Sequence, residues 1–234
     1  MASTSERSFG SRSAKAGIIR DAISIFPNYA PPRNEESIAE YSALINLSDT
    51  VNKAVAINID NYNAATKARG AAFRTNPISV TKLLAPIAAA VTAQFGKDSR
   101  EAINVKTAIA KIRDAKPVEA TNAAGTVYNI SQSEQSYGSL AQAFKNLVAT
   151  LGNFNGYTSS RAELKLSALN TFADSLNAIS QNANLAANSL KDSRALRNQT
   201  YTDLSDRTVR IKAYVMAEYG NNSAEHKKVK GISV

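Results

Sequence analysis

The chain has 234 residues, 44% of them hydrophobic, enough apolar material for one large domain or two small ones with a buried core. Lys and Arg number 28 against 19 Asp and Glu, a net charge of +9, while Cys and Trp are absent and His occurs once. That inventory excludes a disulfide scaffold, a thiolate metal site and any mechanism built on a Cys nucleophile.

Residues 1–14, MASTSERSFGSRSA, are small and polar, lack the apolar run of a signal peptide, and read as a flexible basic tail. From Ser13, a candidate cap, Ile18, Ile19, Ile23 and Phe26 trace a helix that the PNYAPP stretch at 27–32 must end, because adjacent prolines cannot continue an α-helix. Asn34 with Glu35 and Glu36 then opens a long helix. Its apolar residues Ile38, Tyr41, Ile45, Val51, Val55, Ile59 and Tyr62 recur at threes and fours as far as about Phe73. Asn76-Pro77 is a cap followed by a first-turn proline and starts a third helix that stops at Gly96, with Pro86 predicting a kink. Asp98 or Ser99 caps a fourth. The most apolar stretch, Leu83–Val91, is far shorter than the roughly 20 residues a bilayer span needs, so no membrane span is expected.

A connecting segment, 117–137, holds Pro117, Gly125 and the one strand candidate, Thr126–Ile130. Beyond it the pattern predicts helices over Ser139–Leu151, Ser160 to about Asn198 and Thr202–Tyr219, and a short last helix from Ser223. The stretch from 160 to 219 contains neither Gly nor Pro, and only Thr200 and Thr202 suggest a break within it. Sequons at Asn46, Asn129, Asn198 and Asn221 are no more than chance supplies in a chain this rich in Asn, Ser and Thr. The expectation is a soluble, cytoplasmic protein.

The chain also repeats itself. Val91, Ala93, Gly96, Ser99, Glu101, Val105 and Lys106 return 124 positions later as Val215, Ala217, Gly220, Ser223, Glu225, Val229 and Lys230. Upstream, at a spacing of 125, Asn28 and Tyr29 pair with Asn153 and Phe154, Ser42 with Ser167, and Arg69 with Arg194, which implies one residue deleted between about 195 and 209. The fold class expected is all-α: a tandem duplication of a three-to-four-helix unit, with repeats at 15–116 and 138–234, forming two similar helical bundles or one pseudo-twofold bundle.

The repeated motif, Gly96, Ser99 and Glu101 with Gly220, Ser223 and Glu225, reads as helix punctuation. Each glycine closes a helix in the left-handed conformation, the serine or its neighbour caps the next, and the glutamate lies at the new helix's positive end. Asn28 and Tyr29, with Asn153 and Phe154, read as turn residues whose aromatic folds back on the core. Glu35 and Glu36 read as an acidic first turn, and His226, beside Lys227 and Lys228, as a solvated side chain. No catalytic constellation, cofactor loop or metal-ligand spacing is present, so a non-enzymatic protein is expected. Lys191, Arg194 and Arg197, followed by Arg207, Arg210 and Lys212, form a candidate basic face for phosphates. Three function classes follow, one of them a small-molecule carrier or enzyme with an apolar pocket between helices, which would need a large cavity with convergent polar groups. A structural or interaction protein would bind itself or another protein through two equivalent surfaces, and a nucleic-acid binder would use the basic face.

Overall fold

The computed structural model describes residues 8–113, 118–121, 127–130 and 136–234. The fold is all-helical apart from one short hairpin. Helix α1 (Phe9–Ile23) starts earlier than the sequence suggests, because Ser8 is extended and its hydroxyl accepts the Ser11 N–H at 3.1 Å. Ser13, expected as the cap, is buried inside the helix, where it donates to Asp49 at 2.8 Å and shares a hydrogen bond with Ser48 at 2.9 Å. Asn34–Glu36 form a separate 3-10 turn; Ser37 is extended, accepts the Glu40 N–H at 3.3 Å, and precedes α2 (Ile38–Gly70). A single π-helical turn, Ala71–Thr75, ends α2. Asn76 and Pro77 lie outside any helix, and Ser79 takes the N-cap position of α3 (Val80–Phe95), which continues through Pro86 to Gly96.

Ser99 caps α4 (Arg100–Ile112). Strands β1 (Val118–Thr121) and β2 (Val127–Ile130) pair antiparallel, with Val118 opposite Ile130 and Thr121 opposite Val127. The predicted strand is therefore present except for Thr126, which with Pro117 and Gly125 lies outside the described residues, and it has a partner that the pattern did not mark. Helix α5 (Tyr137–Gly152) is capped by Ser136, a 3-10 turn covers Ala162–Leu164, and α6 (Leu166–Tyr219) runs 54 residues before the short α7 (Ala224–Val229). The break expected at Thr200–Thr202 does not occur. Both hydroxyls donate to carbonyls one turn back, Leu196 at 2.8 Å and Asn198 at 3.1 Å, so threonine is accommodated within the helix.

The chain divides into two compact units that do not follow the expected 15–116 and 138–234 boundaries. Unit 1 comprises Met1–Asn61 and Ala187–Val234; unit 2 is Tyr62–Ala186. The divisions fall inside α2 and α6. In unit 1, Ile19, Ile23 and Tyr41 pack with Leu204, Ile211 and Val215, and α1 lies against α7. In unit 2, Leu84, Ile87 and Val91 pack with Phe144, Leu147 and Leu169, and α4 lies against α5. Each large aliphatic side chain taken fully out of water contributes about 1.5–3 kcal/mol. The apolar stretch Leu83–Val91 belongs to this second core. Although a window within Ile38–Phe95 is apolar enough on composition to cross a membrane, Leu83, Leu84, Ile87 and Val91 pack inside unit 2.

Several contacts occur once in each unit. The Tyr29 hydroxyl donates to the Glu36 carbonyl (2.8 Å) and the Tyr157 hydroxyl to the Leu164 carbonyl (3.0 Å). Arg33 pairs with Glu35 and Arg161 with Glu163. Phe9 meets Tyr201 at 4.8 Å between ring centroids, and Tyr137 meets Phe73 at 4.9 Å. Phe26 meets Tyr219 edge-on, and Phe154 meets Phe95. Positive φ is found at Asn28 (+59°) and at Gly156 (+83°). These matches stand 128 positions apart up to Phe73 and Tyr201, and 124 apart from Val80 and Leu204 onward. The residue that repeats Tyr29's contact is therefore Tyr157, and Phe154 repeats Phe26. The 125 spacing was displaced by three, and the length difference is four residues, located where the first stretch has its π turn and Pro77 and α6 passes straight through.

Because each unit is assembled from both sides of the hairpin, cutting the chain there should not separate it. With a protease site inserted between Ala123 and Ala124, the cleaved halves are expected to co-elute in size-exclusion chromatography and to part only in denaturant. Separate elution in native buffer would overturn this division of the chain.

Candidate functional site

The repeated glycine-serine motif sits at the α3–α4 and α6–α7 joints. Gly96 takes φ +97° and ψ 153°, and Gly220 takes φ +93°. Gly96 is thus not in the left-handed helical region expected, but in the extended positive-φ region that only glycine occupies comfortably. Its N–H bonds the Thr92 carbonyl, and the Gly220 N–H bonds that of Met216, both at 3.0 Å. Ser99 accepts the Ala102 N–H at 3.1 Å and Ser223 the His226 N–H at 3.0 Å, so the serines, not Asp98 or Asn222, are the caps. Glu101 and Glu225 lie in the first turns that follow, where the helix dipole favours negative charge. His226, expected in solvent, is 8% exposed, and its Nδ1 lies 2.8 Å from the Asn221 carbonyl. A carbonyl only accepts, so Nδ1–H is the donor and the ring fastens α7 to the loop before it.

The turn residues separate into different roles. Asn28 holds the positive φ that asparagine tolerates better than other non-glycine residues, and Tyr29 stacks edge-on against Tyr214 at 5.4 Å. Burial raises the Tyr29 hydroxyl above the usual tyrosine range, with Tyr214 and Glu36 adding to the effect. Asn153 is instead the C-cap residue of α5, at φ −85°, and Phe154 packs on Phe95.

The candidate basic face does not assemble as an open surface. Only Lys191 and Arg194 are exposed. The Arg197 guanidinium lies over the Phe9 ring at 4.0 Å, Arg207 donates to the Glu35 carbonyl at 3.1 Å, and Lys212 donates to the Ile232 carbonyl. Arg210 pairs with Glu36, whose side chain is 4% exposed, and Arg33 stands 3.7 Å from the second Glu36 oxygen. Glu36 is thus buried between two arginines, and with Glu35 it forms the acidic first turn of the short 3-10 helix rather than of α2. That hydrogen bond raises the Arg210 guanidinium further above its ordinary value, and burial lowers the Lys212 ammonium. Nearby, burial pushes the Tyr41 hydroxyl up to about 12, opposed by its 2.6 Å hydrogen bond with Thr208. Among the described residues no group of three or more His, Asp or Glu side chains is placed to hold a metal ion. A groove of about 620 Å³ runs between α4 and α5, lined by Asn104, Thr107, Lys111, Gln142 and Asn146. Its amides and hydroxyls can hydrogen-bond a partner, but none is a nucleophile paired with a base.

Compared with protein-family models, curated proteins and solved structures, the chain matches none.

Sequence reasoning missed the Glu36–Arg210 pair because the partners lie far apart in the chain and each has a plausible local role. It also missed the stacking of Arg69 on Tyr137 and of Arg197 on Phe9, for which cationic residues spaced along helices give no signal.

Two sets of substitutions check these roles in chemical denaturation. Gly96→Val and Gly220→Val are each expected to cost about 1–3 kcal/mol from backbone strain alone, since no atom lies within 4 Å of an added Cβ. Ser99→Ala and Ser223→Ala should each cost about 1 kcal/mol, and Asp98→Ala and Asn222→Ala less than about 0.5. Arg210→Ala should cost about 2–3 kcal/mol by leaving Glu36 buried with only Arg33 beside it. Lys191→Ala should leave stability unchanged. Equal losses for Arg210→Ala and Lys191→Ala would refute the distinction between internal and exposed cations.

Proposed function

We propose that the chain is an internal duplication and acts as a non-enzymatic structural or interaction protein, presenting two related helical modules to copies of itself or to another protein. The observation that carries this reading is the recurrence of contacts in the two units: the tyrosine hydroxyls on the 3-10 turns, the arginine–glutamate pairs, the aromatic pairs and the serine caps. In each unit the first half of one repeat meets the second half of the other, as α1 with α7 and α5 with α4. Two like modules in one chain favour bivalent binding, in which the second contact forms at the high effective concentration set by the first.

The polar residues that recur are engaged internally, as caps, turn anchors and ion pairs, which supports a structural role for the motif over a ligand site. Nucleic-acid binding has less support, because four of the six basic side chains proposed for it bond or stack within unit 1.

Light scattering over a concentration series of the intact protein should show a mass that rises above the 25.0 kDa monomer, or else a pull-down should return a saturable protein partner. A strictly monomeric chain that captures no protein overturns the reading, and a gel shift that weakens steeply with salt would favour the nucleic-acid class instead.

A further inference from the structure

In unit 2 a cavity of about 540 Å³ lies between the last turn of α2, the first turn of α5 and one face of α6. Arg69 enters from α2, with its guanidinium 4.4 Å above the Tyr137 ring and one terminal nitrogen 3.3 Å from the Asn184 side-chain oxygen. Its Nε is enclosed and has no acceptor, and the Ser180 hydroxyl, also enclosed, has no partner. Asn177 and Gln181 complete the α6 wall, with no carboxylate among the lining residues.

Unit 1 answers one of these groups and not the other: the Arg197 Nε, at the place of Arg69, is likewise enclosed without an acceptor. There Asn52 stands where Ser180 does and Tyr201 where Phe73 does, and the Asn52 amide donates to the Tyr201 hydroxyl at 2.7 Å. Arg12, at the place of Leu140, bonds the Tyr201 carbonyl at 2.9 Å. Phe73 has no hydroxyl, so the polar residue at the cavity wall of unit 2 lacks the partner that Asn52 has, beside an arginine whose Nε is unanswered in both units. A buried donor without an acceptor costs about 1–3 kcal/mol, which a bound acceptor recovers.

We infer that this cavity binds a small oxyanion, the phosphate or carboxylate group of a soluble metabolite, through Arg69, with Ser180 and the amides of Asn177 and Gln181 as further donors. A guanidinium presents its donors in a planar fork that matches two oxygens of such a group, and the absence of acidic neighbours leaves its charge uncompensated within the cavity. The inference uses the matched positions of the two units but does not rest on the interaction role proposed above.

The test is titration of the intact protein with inorganic phosphate and, separately, with acetate, at ionic strength held constant with chloride. Arginine Nε–H resonances are followed by NMR and the melting temperature in parallel. A saturable shift of the Arg69 Nε–H resonance, assigned by its loss in Arg69→Gln, is expected with at least one of the two anions. Saturation with phosphate alone assigns a phosphoryl ligand, with acetate alone a carboxylate. Lys191→Gln, on the exposed surface of unit 1, should leave the binding unchanged. Should Arg69→Gln fail to fold, Ser180→Ala decides, because it should weaken the affinity about tenfold and unchanged affinity would count against the site. No saturation below about 10 mM of either anion, or the same stabilisation by chloride alone, overturns the inference.

Discussion

The core of each unit closes only when segments from opposite sides of the hairpin meet. In unit 1, the buried faces of α1 and early α2, carrying Ile19, Ile23, Tyr41 and Leu44, have as their complement Leu204, Ile211 and Val215 from the far end of α6. In unit 2, α3 and α4 find theirs in α5 and the start of α6. Helix packing of this kind is short-ranged and demands shape complementarity, so the apolar faces of α1 and α5 specify their partners and leave neither half of the chain, before or after the hairpin, an independent bundle. The Phe9–Tyr201 and Tyr137–Phe73 pairs and the stacking of Arg197 on Phe9 and of Arg69 on Tyr137 sit where this pairing brings the halves together.

At matched places the two units differ, with polar groups in unit 1 where unit 2 has apolar ones. Glu36 and Arg210 make a buried pair in unit 1, while Leu164 and Pro86 stand at the same places in unit 2. Tyr41 and Thr208 share a hydrogen bond where unit 2 has Leu169 and Leu84. Buried ion pairs seldom add net stability over well-packed apolar residues, but they penalise wrong partners heavily. Unit 1, assembled from the two ends of the chain, is the one that carries these orienting contacts, and unit 2, contiguous in sequence, is built on apolar packing.

Much of the helical plan was legible in the sequence, since apolar periodicity, the PNYAPP stretch and Gly96 and Gly220 placed most elements within a few residues. Errors gathered where one cue outweighed a weaker correct one. Asn76-Pro77 has the composition of a helix start, yet Ser79 stands three residues on with the backbone already extended. Thr200 and Thr202 resembled a break because the first repeat has one nearby, whereas absence of Gly and Pro was the better guide. The repeat register was readable too: Ser8-Phe9-Gly10-Ser11 and Ser136-Tyr137-Gly138-Ser139 share three of four residues at a spacing of 128, but the first lay in what read as tail. What no pattern announced was how the halves pair, since contacts such as Arg12 with Tyr201 join residues 189 positions apart.

That separation bears on how the protein is made. Residues of unit 2 are consecutive, so its core can form once the chain has been synthesised to about position 186. The segment up to Asn61, carrying Ile19, Ile23 and Tyr41, leaves the ribosome before any of it, and its complement follows only with Ala187–Val234. Domains fold as units during synthesis, and apolar faces that wait are the ones prone to wrong association. The apolar faces of α1 and early α2 therefore stay uncovered while all of unit 2 is made, and a stop before Leu204 would leave them so.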